Sequence, residues 1–172
     1  MSEILLYEPS QSNILWRSSW LALLTASYAY YRGHFDICLC SLCIFTTSLL
    51  FWQKPGFYWT RYLDMSCVKI SVFYIYSRSI SSVHYWKECT TLIWALIVCY
   101  MLSVHWYKKN RVWESIMLHL SVHIIGAFTL LLLCSGEIEP IEKTFEFLFP
   151  IGCLVLLIPT LLLGYITYFV LF

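Results

Sequence analysis

Two histidines inside a long apolar stretch are the residues whose type and spacing best suit chemistry. His119 and His123 lie within residues 113–134, four positions apart, in a run that is otherwise rich in Ile, Leu, Val and Phe. On a helix this spacing places both imidazoles on one face. Ionisable side chains are costly inside a membrane span, so they commonly mark a functional site. The alternative is that two neutral imidazoles hydrogen-bond to neighbouring helices or to backbone.

The overall composition predicts the class of protein that positions these histidines. Hydrophobic residues make up 60% of the chain and charged residues 12%, whereas about a quarter of the residues in soluble domains are charged. The net charge of +1 supplies no basic field for nucleic acid. We therefore predict an all-α, polytopic integral membrane protein. Its expected partners are membrane lipids and other membrane subunits, with no nucleic acid.

Six apolar runs, separated by charged or Pro-Gly turns, predict a single domain of about six transmembrane helices. They cover residues 14–31, 35–52, 57–77, 89–107, 112–134 and 147–172. With six spans, the side of the membrane that holds both termini carries six basic residues, which are Arg17, Lys54, Arg61, Lys108, Lys109 and Arg111. The other side carries four, which are Arg32, Arg78, Lys87 and Lys143, together with an acidic loop. The positive-inside rule therefore predicts cytosolic termini.

Helical rise then places polar side chains of three spans in one layer. Counted from the predicted boundaries at 1.5 Å per residue, Asp64 and His119 lie roughly 10 Å from the basic surface. Ser48 lies roughly 6–8 Å and His123 roughly 16 Å from it. Imidazole nitrogens and carboxylate oxygens are both good zinc ligands. These depths predict a zinc site formed by His119 and His123, with Asp64 as a further ligand. His105, which lies roughly 8–10 Å shallower than Asp64, is the alternative to Asp64.

Three short motifs in the same spans resemble the transmembrane hydrolase superfamily of alkaline ceramidases and adiponectin-receptor-like proteins. They are Ser48 to Trp52 at the end of the second span, Arg61-Tyr-Leu-Asp64 in the third, and His119-Leu-Ser-Val-His123 in the fifth. The resemblance implies a bundle of seven core helices, a zinc ion held by three histidines, and hydrolysis of lipid amides. It also implies that Asp64 and Ser48 are catalytic residues beside the metal-bound water.

Two departures from that pattern shape the functional hypotheses. Trp52 stands where the pattern has a zinc-binding histidine, and six spans are predicted instead of seven. We therefore favour a non-catalytic relative that binds a lipid or a partner, or a subunit of a membrane complex. The alternative is a zinc-dependent hydrolase of lipid amides or esters, in which Asp64 accepts the proton of the zinc-bound water and Ser48 stabilises the oxyanion.

Other hypotheses rest on single residues. Lys69 would lie roughly 18 Å along the third span, near the membrane midplane, which is typical of a transporter or channel component. His105 could pair with either of the two histidines as an axial haem ligand. A purely structural alternative is an ion pair between Arg61 and Asp64, which lie one helical turn apart.

Overall fold

The computed structural model describes residues 6–56 and 59–138, and within these ranges the chain is helical. Six helices follow one another: α1 (Pro9–Ser18), α2 (Trp20–Tyr31), α3 (Phe35–Gln53), α4 (Trp59–Ile80), α5 (Trp86–Lys108) and α6 (Val112–Ser135). Between the described residues the β-type pairing is limited to one isolated bridge, from Ser82 to Ile138. The all-α prediction is confirmed for this part of the chain. The predicted span 147–172 lies outside the described residues.

Three of these helices are long and apolar enough to cross a membrane. They are α3, α5 and α6, which correspond to the second, fourth and fifth predicted spans. This supports an integral membrane protein built as a helical bundle. The helix α4 is also long, but its first half carries Arg61, Asp64 and Lys69, and α1 and α2 are each short.

The first predicted span consists of two helices that meet at Ser19. The hydroxyls of Ser18 and Ser19 both donate to the carbonyl of Leu15, each at 2.9 Å. Serine side chains that bond back to the preceding turn commonly bend a helix. The first helix also starts earlier than predicted, at Pro9, where the proline suits the first helical turn. The bend turns the Ser18 hydroxyl towards the bundle interior, where it meets α6.

The helices form a closed ring. Each of the neighbouring pairs α2 and α3, α3 and α4, α4 and α5, and α5 and α6 is in contact, and α2 closes the ring by packing on α6. The short α1 packs against α3 and α6. Short turns between successive helices from α2 to α6 make these helices antiparallel, so alternate turns share one end of the bundle.

Hydrogen bonds join the chain segments at each end of this ring. At the end that carries Lys54 and Lys108, called here the basic end, the backbone N–H of Leu6 donates to the carbonyl of Pro55 at 2.8 Å. The hydroxyl of Tyr107 donates to the carbonyl of Leu6 at 3.2 Å. At the far end, the backbone N–H of Val83 donates to the carbonyl of Glu137 at 3.0 Å. The structure therefore places the described N-terminal segment beside the turns between α3 and α4 and between α5 and α6.

A buried ion pair at the far end corrects one predicted boundary. We predicted that the third span ends at residue 77 and that Arg78 begins a loop, but α4 continues to Ile80. Arg78 is only 5% exposed, and its Nε lies 3.1 Å from Oδ2 of Asp36 on α3. The hydroxyl of Tyr74 donates to the same oxygen at 2.6 Å. Burying a guanidinium requires such a partner, so α4 keeps its helical geometry until Arg78 reaches Asp36.

Candidate functional site

A cavity of about 250 Å³ lies inside the helical ring, and all six helices contribute to its wall. Polar side chains line the part nearer the basic end, among them Ser18, Ser48, Trp52, Asp64, His119 and His123. Apolar side chains line the part nearer the far end, among them Val72, Ile75, Ile93, Leu96, Ile97 and Leu130. The volume is slightly below the roughly 300–1,000 Å³ of small-molecule sites. The carboxylate and the imidazoles of the cavity therefore lie nearer the basic end, and the part nearer the far end is mainly aliphatic, although Thr25 and Thr129 also line it.

The structure brings four of the predicted site residues to this one cavity. Ser48, Asp64, His119 and His123 all line it, and the rings of the two histidines lie 5.3 Å apart between centroids. The four-residue spacing on α6 thus does place both imidazoles on the inward face. All four lie towards the basic end of the ring, where the end of α3 and the starts of α4 and α6 meet.

Asp64 is held by two hydroxyl groups from the neighbouring helix. Its Oδ1 accepts a hydrogen bond from Ser48 Oγ at 2.7 Å and another from Thr47 Oγ1 at 3.0 Å. The side chain is buried, and these bonds compensate the loss of water around the carboxylate. Thr47 was not among the predicted site residues, since a hydroxyl in an apolar span gives no distinctive sequence signal. The pair of hydroxyls orients the carboxylate and ties α3 to α4.

His123 has a partner that the sequence did not reveal. Its Nδ1 lies 2.7 Å from the hydroxyl of Ser18, which also donates to the carbonyl of Leu15. With its proton directed to that carbonyl, the hydroxyl oxygen can accept from an Nδ1–H of the imidazole. The bond joins α1 to α6 across the ring. The sequence left open whether the histidines are functional or only hydrogen-bond to neighbouring helices. The contact of His123 with Ser18 is a hydrogen bond of the second kind.

His119 lies among aromatic rings. Its ring centroid is 5.1 Å from that of Trp52 and 6.1 Å from that of Tyr100, both in edge-to-face orientation. Trp52, 3% exposed, therefore fills the place beside His119 where the resemblance expects a third histidine. An indole offers no lone pair for a metal ion. Trp52 therefore contributes aromatic packing at this position.

His105 does not reach the cavity. It is exposed and stacks beside Trp106, with the ring centroids 5.8 Å apart, and it is absent from the cavity wall. The reason is helical phase: Ser103, two residues earlier, is buried and donates to the carbonyl of Ser115 on α6 at 2.8 Å. Residues two apart on a helix point in very different directions. The prediction of His105 as a zinc or haem ligand is therefore incompatible with this arrangement.

The donors supplied by the described residues do not form a catalytic zinc site. Across residues 6–56 and 59–138, no group of three or more His, Cys, Asp and Glu side chains is arranged to hold a metal. A catalytic zinc generally has three protein ligands. Two imidazoles line the cavity, one of them bonded to Ser18, and Trp52 takes the place of the expected third histidine. Asp64, the other predicted ligand, also lines the cavity, where its Oδ1 accepts from Thr47 and Ser48.

The N-terminal segment covers the basic end of the cavity. The ring of Tyr7 packs on those of Trp52 and Tyr107, with centroid distances of 5.6 Å and 5.3 Å. Burial raises the pKa of Tyr7 to about 12, because the phenolate would lose its hydration. Tyr7 therefore remains neutral at physiological pH and acts as an aromatic cover with a hydrogen-bonding hydroxyl.

No protein-family model matches this chain, and no curated protein or solved structure matches it either. The resemblance to the transmembrane hydrolases remains a prediction from three short motifs. What the geometry provides is a place to bind a molecule with one polar end.

Proposed function

We propose that this protein is a non-catalytic membrane protein that binds a single-chain, lipid-like amphiphile in its cavity. The observation that carries the proposal is the division of one cavity into a polar part around Asp64 and His119 and an apolar part around Ile97 and Leu130. Such a division matches a ligand with a compact polar head and one hydrocarbon chain.

The size of the cavity limits the ligand. At about 250 Å³, the cavity lies just below the roughly 300–1,000 Å³ of small-molecule sites. A head and a short or medium chain fill this space, whereas the two chains of a phospholipid exceed it. The ligand therefore belongs to the single-chain amphiphiles that partition into membranes.

A non-catalytic role is supported by how the candidate catalytic groups are engaged. The hydroxyl proton of Ser48 is donated to Asp64, so the hydroxyl is committed to positioning the carboxylate. Trp52 occupies the position of the expected third histidine. Binding requires only the hydrogen-bonding groups and shape that are present, whereas a catalytic zinc needs three protein ligands, and the described residues hold no group of three or more His, Cys, Asp and Glu side chains arranged for a metal ion.

We further propose that about six spans cross the membrane, with the termini cytosolic and the basic end facing the cytosol. Support comes from the distribution of exposed basic residues, with Lys54, Lys108, Lys109 and Arg111 at the basic end. Maleimide labelling of cysteines introduced at positions 54 and 109 tests this orientation. The expected result is protection in intact cells and labelling after permeabilisation, and labelling at either position in intact cells would overturn it.

Filling the apolar part of the cavity is expected to abolish ligand binding. Gly126 lines the cavity, and a Cβ added there would lie 3.3 Å from Leu96 Cδ1, so the side chain in Gly126→Leu must occupy ligand space. Native mass spectrometry of protein in lipid nanodiscs, with 1-monooctanoylglycerol as probe, should count one bound probe on the wild type and none on this variant. Val72→Trp, which fills the same space from α4, should give the same result.

The matched control is Ile124→Leu. Ile124 lies on the same helix, is 52% exposed and faces outward, so this variant should bind the probe as the wild type does. The proposed function would be contradicted if properly assembled Gly126→Leu and Val72→Trp proteins bound the probe as well as the wild type and Ile124→Leu do. The probe would then lie outside the cavity.

A further inference from the structure

The hydrogen-bonding groups left open in the polar part of the cavity define the head of the ligand, given the binding function proposed above. Asp64 Oδ1 accepts from both Thr47 and Ser48, and within the described residues Oδ2 has no hydrogen-bond partner. Oδ2 is not fully buried by the surrounding protein. It therefore keeps accessible surface, and Asp64 lines the cavity. Oδ2 is a free acceptor at the cavity wall.

His119 and Tyr100 supply the complementary groups. Neither side chain makes a hydrogen bond to another described residue. The polar atoms of both side chains keep some accessible surface. Both line the cavity, and their rings are in contact, 6.1 Å apart between centroids. A neutral imidazole both donates and accepts, and a phenol can donate. The wall of one cavity thus carries both an open acceptor and open donors.

The wall carries ionisable groups of both signs, since Arg61 and Lys69 line the cavity together with Asp64. A charged head of either sign would therefore meet at least one group that can carry a like charge, and such repulsion is strong in a poorly hydrated site. An uncharged head avoids it and can use the open hydrogen-bonding groups.

We infer that the cavity selects an amphiphile with an uncharged, hydroxyl-bearing head. One hydroxyl of the ligand would donate to Asp64 Oδ2, and its oxygen would accept from His119 or Tyr100. A ketone or ester carbonyl alone could not do this, because it has no proton to donate to the carboxylate. The apolar chain then extends along Ile97 and Leu130 towards the far end.

Three probes with the same chain length test the head group: 1-monooctanoylglycerol, octanoate and octylamine, each titrated by equilibrium dialysis into protein in lipid nanodiscs. We expect 1-monooctanoylglycerol to bind at least about tenfold more tightly than either ionic probe, since a hydrogen bond to a charged group commonly contributes this much. Tighter binding of octanoate or octylamine than of 1-monooctanoylglycerol would overturn the inference.

Two isosteric variants locate the interaction. Asp64→Asn retains the acceptors for Thr47 and Ser48 but lacks the negative charge, so the preference for 1-monooctanoylglycerol over octanoate should fall about tenfold. His119→Phe keeps the aromatic packing and removes the ring nitrogens, so it should weaken 1-monooctanoylglycerol binding while leaving octanoate disfavoured. The control is Glu114→Gln, whose carboxylate is exposed at the same end and pairs with Arg111; its preference should match the wild type.

The outcomes separate this inference from the proposed function. If none of the three probes binds, the proposed function fails. If all three bind to the cavity with equal affinity, the proposed function stands and the head-group inference fails. An unchanged preference in Asp64→Asn would also overturn the inference, because the carboxylate would then not contact the head.

Discussion

Trp52→His is expected to convert the cavity into a zinc site. The new imidazole would replace an indole whose ring lies 5.1 Å from that of His119, and His119 lies 5.3 Å from His123. Histidines four apart on a helix commonly bind one metal ion together, and a third imidazole completes the usual protein ligand set. Elemental analysis of purified protein should give about one zinc per chain for the variant, and none for the wild type.

Matched variants show whether the zinc occupies this place. Trp52→Phe keeps an aromatic ring without a ligand and should bind no zinc. Trp52→His combined with His119→Ala should lose the zinc gained by the single change, because too few imidazoles remain. Stoichiometric zinc in the wild type that disappears in His119→Ala would contradict the non-catalytic proposal and favour the hydrolase.

Asp36→Leu is expected to destabilise the protein by about 3–5 kcal/mol, the usual cost of removing one partner of a buried ion pair. The change leaves the guanidinium of Arg78, which is 5% exposed, without the carboxylate that lies 3.1 Å from its Nε. It also removes the acceptor of the Tyr74 hydroxyl. Unfolding by sodium dodecyl sulfate in mixed micelles measures the loss in the free energy of unfolding.

The double variant Asp36→Leu with Arg78→Met isolates the role of charge. Replacing both partners by apolar side chains of similar volume is often neutral or stabilising, so most of the loss should be recovered. Tyr74→Phe, which removes only the hydroxyl bond, should cost about 0.5–1.5 kcal/mol. If the single and double variants were equally unstable, packing at this end, and not the charge pair, would hold α3 to α4.

The sequence predicted the parts of the site that depend on helical periodicity. A spacing of four residues was sufficient to place His119 and His123 on one face, and counting from turns brought Asp64 and Ser48 to the same depth. Both follow from the fixed rise and rotation of a helix. The cavity that these residues line is consistent with that reasoning.

What periodicity could not predict is the direction in which each helix faces its neighbours. His105 has a depth near the basic end but points outward, because depth carries no information about rotation around the helix axis. The partners of Asp64 and His123 include Thr47 and Ser18, whose hydroxyls resemble many others in apolar spans. Arg78 was assigned to a loop because its carboxylate partner lies more than forty residues earlier in the chain.

Photo-crosslinking with a monoacylglycerol that carries a diazirine at the end of an octanoyl chain tests the central claim most directly. If the amphiphile binds with its head near Asp64, the chain end lies in the apolar part of the cavity, and peptide mapping should find the label on residues such as Ile93, Ile97 and Leu130. Excess unlabelled 1-monooctanoylglycerol should abolish this labelling. Label confined to outward-facing residues such as Ile124 and Phe128, which are 52% and 56% exposed, would contradict the account.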